Sequence, residues 1–396
     1  MKNYITNIRE ALKKEAVLCI AAAAAALTMF FVPPSAKYIG YIDFRVLSLL
    51  FCLMAVVAGF QKTGLFIFLS EKLLKKVSDS RSLSYVLIML CFFTSMWITN
   101  DVALITFVPF AIMILTVAGK SKLLIPVVVL QTIAANLGSM LTPVGNPQNL
   151  YLYSTYDIPV KEFLMITLPV TALSFVLLSL ATLLIKKESL EVSLEYTSGI
   201  NVLNPEVQVQ DTASNKSLFN KISDKKNSLL IVFYGILFLI CLGCVIRLVD
   251  YRVTLIIVFL GIMLFDRTIL NKVDYMLLLT FVCFFLFVGN IGSIPAVKDF
   301  LGGLLKGREL PVAILASQGI SNVPAAVLLS AFTNNYRALI LGTDIGGLGT
   351  LVASLASLIS YKFYSRMEGA KPGKYLRVFT LLNVLFLGIL CLVYLI

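Results

Sequence analysis

Apolar runs close to 20 residues long, separated by short polar or basic stretches, recur along most of the chain. That is the length an α-helix needs to cross a bilayer. The first run, 15–32, ends at Pro33 and Pro34, and a second, 45–60, returns. The segment 63–76 is amphipathic, with Lys72, Lys75 and Lys76 at its end, and is too short and charged to span, so it is expected to lie along the membrane interface. The next apolar run, 83–118, would be about 54 Å long as one helix, well beyond a hydrocarbon core of roughly 30 Å. It must therefore bend or turn back, and its midpoint is the polar triplet Thr99, Asn100 and Asp101. With Lys120 and Lys122 at its far end, the pattern reads as a re-entrant hairpin entering from the cytoplasm, with two short complete spans joined by a polar turn as the alternative.

A helix over 123–136 is followed by GSMLTPVGNPQN (138–149), whose two glycines, two prolines and three amide side chains cannot continue it. Proline alone costs about 3 kcal/mol in a helix interior. Broken backbone at membrane depth is tolerated only where it is buried in protein or lines a cavity, so 138–149 is expected to interrupt a spanning helix. An external loop is the alternative. A clean span, 163–185, follows, and then a polar linker, 186–227, with six lysines, expected to be cytoplasmic and flexible.

The second half opens with an extra span, 228–246, then 253–265 and 275–291, and 295–307 repeats the interfacial character of 63–76. Two ten-residue apolar arms, 311–320 and 324–333, flank Ser321, Asn322 and Val323. Each arm is about 15 Å long, half a membrane core, which again favours a hairpin. The run LGTDIGGLGTLVASLASL (341–358) then aligns with the earlier interruption at a constant offset of 208: Gly138 with Gly346, Thr142 with Thr350, Val144 with Val352, and Asn136 with Asp344. Lys362, Arg366, Lys371, Lys374 and Arg377 mark the inner face before a last helix runs outward.

The reading is an all-α polytopic membrane protein built as an inverted repeat, with two re-entrant hairpins and two broken transmembrane helices. Residues 1–185 form the first half, 186–227 the linker and 228–396 the second half. Interrupted helices meeting at a repeat interface are the architecture of secondary transporters. Composition agrees: 59% of the 396 residues are hydrophobic and 14% charged, too little polar surface for a soluble globule. The net charge of +12 sits in loops between apolar runs, which is the positive-inside pattern rather than a nucleic-acid face. Lys2, Arg9, Lys13 and Lys14 against Glu10 place the N-terminus in the cytoplasm, and the chain is expected in the cytoplasmic (inner) membrane as a multi-pass protein. All seven cysteines fall inside apolar runs, and with no histidine any proton coupling must use carboxylates.

These motifs resemble the ion transporter superfamily, which groups arsenite permeases, sodium/proton antiporters and divalent anion/sodium symporters with a citrate-transporter-like domain. SMWITNDVALITFVP (95–109) looks like the hairpin tip of the divalent anion/sodium symporters, whose pattern is Ser-Asn-Thr after Trp-Ile; here the triplet is Thr99, Asn100 and Asp101. GTDIGGLGTLVASLASL (342–358) is similar to the Gly-x-Asp-Leu-Gly element of the arsenite permeases. Val323 stands where the symporters have threonine, and the stretch from Pro143 to Pro147 departs from the arsenite permeases. The resemblance implies a homodimer; a small-molecule or ion substrate in the bilayer is expected, and, with no histidine to build a nucleophile–base pair or metal site, no enzyme activity.

The chemistry follows from the residue types. A carboxylate within hydrocarbon costs at least roughly 2.5 to 3.5 kcal/mol, which makes Asp101 a functional candidate. A hairpin tip presents unpaired N–H groups at a half-helix N-terminus, and amides and hydroxyls around it suit an oxygen-rich solute. The expected substrate-binding residues are Thr99, Asn100, Asp101, Thr142, Asn146, Asn149, Ser321, Asn322, Thr350 and Ser354. The expected coupling-ion residues are Asp101, Asn136, Gly138, Asp344 and Gly346, with freed carbonyls at the two glycines suiting sodium. No cofactor is expected beyond sodium ions. The two aspartates are read as carriers of the coupling cation, since a desolvated carboxylate favours a bound proton or cation; simple helix capping is the alternative role. No lysine or arginine lies in either predicted hairpin core or broken helix. The preferred function is anion transport coupled to sodium or protons by alternating access. Arsenite or antimonite efflux and sodium/proton exchange are the other transport readings, and a channel or a membrane-embedded enzyme the other classes.

Overall fold

The computed structural model describes residues 16–74, 77–190 and 225–395. The expected N-terminal basic cluster and most of the linker lie outside them. Among the described residues the chain is helical, and a single isolated bridge between Asp79 and Ser189 is the only β pairing. The first half contains α1 (Ala16–Met29), α2 (Lys37–Tyr41), α3 (Phe44–Thr63), α4 (Leu65–Leu74), α5 (Ser80–Ile98), α6 (Asn100–Val117), α7 (Leu124–Ser139), α8 (Pro147–Thr155) and α9 (Val160–Leu183). The second contains α10 (Lys225–Val245), α11 (Tyr251–Phe265), α12 (Tyr275–Gly292), α13 (Pro295–Leu305), α14 (Glu309–Ile320), α15 (Asn322–Ser330), α16 (Tyr336–Ile345), α17 (Leu355–Ser365) and α18 (Pro372–Leu395). Eight of the described helices are long and apolar enough to cross a bilayer. The protein is therefore a polytopic, all-α membrane protein.

Local chemistry sets the helix ends. Asp43, Asp250 and Asp274 accept backbone N–H groups at the starts of α3, α11 and α12, and Gly64 closes α3 with φ 75°. These satisfy the N–H groups that a helix cannot pair internally. The short α2 and the extension of α3 to Thr63 go beyond the periodicity of the sequence.

The long apolar run does turn back. It breaks at Thr99 into α5 and α6, which pack against each other, and both feet converge on residues 185–190. Ser80 Oγ donates to the Lys186 carbonyl (2.8 Å), Arg81 Nε to the Ile185 carbonyl (2.8 Å), and Lys120 Nζ pairs with Glu188 (2.9 Å). The backbone N–H of Ser82 holds the Asp79 carboxylate below its usual range. Residues 186–190 are thus docked on the hairpin, where the composition of the linker predicts flexibility.

The second break, at Ser321, makes the pair α14 and α15. Its feet meet where Thr333 and Asn335 donate to Glu309 (3.5 Å each), and Tyr156 donates to the carbonyls of Thr333 (2.7 Å) and Ser330 (3.0 Å). Beside these feet, Tyr336 donates to Glu162 (2.6 Å). One hairpin therefore opens beside the C-terminal end of α9 and the other beside its N-terminal end, about 36 Å apart for a helix of 24 residues.

The packing of the two halves corresponds. α5 and α6 both pack on α7, and α6 also reaches α17; α14 and α15 both pack on α16, and α15 also reaches α8. Each hairpin thus sits between the broken helix of its own half and the far piece of the other. Around them, α1 packs on α12 and α3 on α10 and α11, and Lys62 pairs with Asp266 at 2.7 Å.

Candidate functional site

The two helix breaks share one backbone solution. Thr99 adopts φ 70°, ψ 149° and Ser321 φ 72°, ψ 154°, a region essentially reserved for glycine. At the first break the Asn100 N–H donates to the Gly145 carbonyl (3.1 Å) and Thr142 donates to the Met96 carbonyl. At the second, the Asn322 N–H donates to the Ala353 carbonyl (3.0 Å) and Thr350 to the Gln318 carbonyl (3.0 Å). All four acceptor and donor positions correspond under fixed offsets, 222 in the hairpins and 208 in the interruptions. Asn100 Oδ1 accepts the Asp101 N–H (3.0 Å), as Asn322 Oδ1 accepts the Val323 N–H (2.9 Å), so each asparagine caps the arm that it starts.

That conformation costs about 1 to 3 kcal/mol in a non-glycine residue. The Thr99 hydroxyl makes no capping hydrogen bond in return. Thr99→Gly is therefore expected to raise the unfolding midpoint in detergent by the equivalent of about 1 kcal/mol, after allowing for glycine's greater freedom in the unfolded chain. A midpoint at or below that of the unaltered protein would show that the break is not strained.

The broken segment 138–149 is buried rather than an external loop. Asn146 caps α8 by accepting the Asn149 N–H (2.9 Å), with Pro147 at the first helical position, where its missing N–H costs nothing. The halves then exchange contacts. Ser354 donates to Asn136 Oδ1 (3.0 Å), and Asn146, its counterpart at offset 208, donates to Asp344 Oδ1 (3.2 Å). Asn100 Nδ2 also donates to Asn136 Oδ1 (2.9 Å).

Asp344 is the one charged member of this cluster. It is 2% exposed and accepts from Asn149 Nδ2 at 3.0 Å, Asn146 Nδ2 at 3.2 Å and Gln148 Nε2 at 3.4 Å. Among the described residues no lysine or arginine pairs with it. Three neutral donors orient a carboxylate but do not neutralise it, and an uncompensated buried charge is strongly unfavourable. Two polar atoms of the cluster are also buried without a partner among the described residues, the acceptor Asn149 Oδ1 and the donor Asn136 Nδ2.

The cluster thus unites Asn100, Asn136, Asn146, Asn149, Ser354 and Asp344 from the expected set, and brings Ser321 and Asn322 to the equivalent tip. It does not unite all of them. Asp101 is half-buried, and its carboxylate accepts no hydrogen bond from any described residue. The hydroxyls of Thr142 and Thr350 are committed to hairpin carbonyls, and Thr350 is exposed, so both act as staples between hairpin and interruption. The Gly138 carbonyl accepts the Leu141 N–H (3.2 Å) and the Gly346 carbonyl accepts Gln318 Nε2 (2.9 Å). Neither is the freed oxygen that the broken sequence predicts. These glycines serve close packing instead: a Cβ at Gly138 would collide with the Phe92 carbonyl oxygen, and one at Gly346 would lie 2.6 Å from the Gly342 carbonyl oxygen. Gln148 and Gln318 are absent from the sequence-based set; the interruption carrying amide side chains is a signal for the first, and nothing local marks the second.

A membrane protein with two interrupted helices, two hairpins opening at opposite ends, and a buried polar cluster between its halves belongs to the class of transporters. Residues 4–336 match the citrate transporter family, and the chain belongs to that family, whose members are transporters rather than enzymes. It is 31% identical over 350 residues to an uncharacterized transporter of Methanocaldococcus jannaschii, covering 88% of each chain. It is 30% identical over 341 residues to the inner membrane protein YbiR of Escherichia coli, covering 84% of this chain and 83% of the relative. A shorter likeness, 31% over 129 residues, joins it to the silicon efflux transporter LSI3 of rice and covers 32% of this chain and 26% of that one.

Proposed function

We infer that the protein is a secondary active transporter that moves a small anion across the cytoplasmic membrane, coupled to sodium or protons by alternating access. The observation that carries this is Asp344, a buried carboxylate held by three neutral amides with no basic partner among the described residues. Such a group calls for a proton or a metal cation whenever the site is closed, and Asn149 Oδ1 offers a second oxygen beside it. An anionic substrate has no lysine or arginine in the cluster to meet it, so the co-bound cation and the amide donors, Asn136 Nδ2 among them, supply the attraction. Citrate and related carboxylates are the first substrates to try, in view of the family's description.

The corresponding packing of the halves, with hairpins opening at opposite ends of α9, supports an inverted repeat, 1–185 against 228–396, that exposes the cluster to each side in turn. The basic residues near 120 and 186 then face the cytoplasm, as does the N-terminus. The site residues are Asn100, Asn136, Asn146, Asn149, Asp344 and Ser354, with Asp101, Thr99, Ser321 and Asn322 at the hairpin tips. The protein would act as a homodimer, which light scattering of the purified protein would measure.

The neutral lining favours a second reading, export of a small hydroxylated solute such as arsenite, which needs no cationic contact. The partial likeness to a silicon efflux transporter points the same way.

A thermal-unfolding screen separates the two. Citrate or another carboxylate is expected to raise the midpoint only when sodium is present or the pH is lowered, because a ligand bound to the native state alone stabilises it. Stabilisation by arsenite or silicic acid, indifferent to sodium and pH, would move the reading to efflux.

A further inference from the structure

A groove of 430 Å³ lies far from the polar cluster, between the first arm of hairpin one and α9. Arg81, Ser82 and Tyr85 line one end, near Leu183, and Val86, Phe175, Val176 and Leu180 line most of the rest; the Ser179 and Thr182 hydroxyls, also in the lining, are spent on carbonyls of α9. From Leu183 to Phe175 it runs about 12 Å along α9, at 1.5 Å per residue. Val176, Leu180 and Leu183 are about half exposed in it, whereas the Arg81 end carries polar groups with free valence. Among the described residues Arg81 uses only Nε, on the Ile185 carbonyl, and neither of its η nitrogens nor the Tyr85 hydroxyl has a hydrogen-bond partner. Around that end stand Lys186 and Lys187, both well exposed, and Lys120 and Lys122, against Asp79 and Glu188 among the described residues.

We propose that this groove binds one anionic phospholipid, its phosphate on the Arg81 guanidinium and an acyl chain along Val176 and Leu180. Two features select this occupant. The groove is polar and basic at the end of the spanning helices and mainly apolar along its length, where the Ser179 and Thr182 hydroxyls are already bonded to their own helix, which is the polarity of a lipid entering from the headgroup layer. The free η nitrogens offer the forked geometry that holds phosphate by two hydrogen bonds. The bound lipid would tie hairpin one to α9 at the feet where residues 185–190 already dock.

The test is native mass spectrometry of the purified full-length protein, titrated with phosphatidylglycerol or phosphatidylcholine of the same acyl chains. Phosphatidylglycerol is expected to bind about fivefold or more tightly, the factor that a single basic side chain at the membrane surface contributes toward an anionic lipid. Arg81→Gln removes about that factor from phosphatidylglycerol alone, Val176→Trp fills the groove and displaces both lipids, and soluble glycerol phosphate does not compete. Equal binding of the two lipids, or unchanged phosphatidylglycerol binding in both variants, overturns the proposal. Competition by glycerol phosphate reduces the site to a phosphate contact and also overturns it. So does a change of oligomeric state in Val176→Trp with lipid binding intact, which would assign this face to a second copy of the chain.

Discussion

Asp344→Asn protein, reconstituted into proteoliposomes, is expected to fold and to transport without any response to a sodium or proton gradient. The expectation rests on charge. In the unaltered protein the carboxylate is 2% exposed, receives three amide N–H groups and meets no basic side chain among the described residues. Desolvating a carboxylate costs several kcal/mol, and neutral hydrogen bonds return only part of it, so on the proposed function a cation or proton would occupy the closed site. Asparagine keeps the shape and one acceptor, and it removes the charge that makes a cation necessary. The fold is retained because a neutral side chain is cheaper to bury than a charged one. The measurement is uptake of labelled citrate, or of whichever solute raises the unfolding midpoint, with each gradient imposed and collapsed. Gradient-driven uptake at the unaltered rate would remove Asp344 from coupling. Asp101→Asn, assayed beside it, tests the second aspartate, whose half-buried carboxylate has no hydrogen-bonding partner among the described residues.

Gly138→Ala is expected to destabilise the protein by about 1 to 3 kcal/mol, as overpacked cores do, and to abolish transport. The added methyl group falls on the Phe92 carbonyl oxygen and within 2.7 Å of Ser95 Oγ. A serine side chain can rotate, but a backbone carbonyl in α5 cannot. The helix must therefore back away from α7, and α5 ends just beyond Ser95 at the Thr99 tip. Its two staples, Asn100 N–H on the Gly145 carbonyl and Thr142 on the Met96 carbonyl, would lengthen together. Gly388→Ala is the control, since nothing lies within 4 Å of a Cβ placed there. It should leave both unfolding and transport unchanged. If Gly138→Ala behaves like the control, the contact between α5 and α7 does not position the hairpin tip.

Much of this was legible before any coordinates. The length of 83–118 required a turn, and the polar residues at its midpoint named the place, Thr99 to Asp101. The ten-residue arms around Ser321 could not each span. The offset of 208 paired Asn136 with Asp344, and the structure places these two in corresponding hydrogen bonds with Ser354 and Asn146. Other assignments were out of reach. That Thr142 and Thr350 spend their hydroxyls on hairpin carbonyls depends on contacts across 46 and 32 residues. That Gln148 faces Asp344 depends on one across 196. The docking of residues 186–190 on the hairpin feet reverses what their polar composition implies, because backbone groups of Lys186 and Glu188 find partners on Ser80.

The sequence by itself determined the membrane class, the two breaks, the two interruptions and the residue types that meet there. Each of these is a matter of length, of proline and glycine, or of a polar group too costly to leave in hydrocarbon, and all three are local. Only the tertiary structure decided which polar atoms face one another and which are already spent. In helices apolar on nearly every side, periodicity does not separate the face turned to lipid from the face turned to protein. The partners of Asp344 come from the other half of the chain, and packing alone brings them within hydrogen-bonding distance.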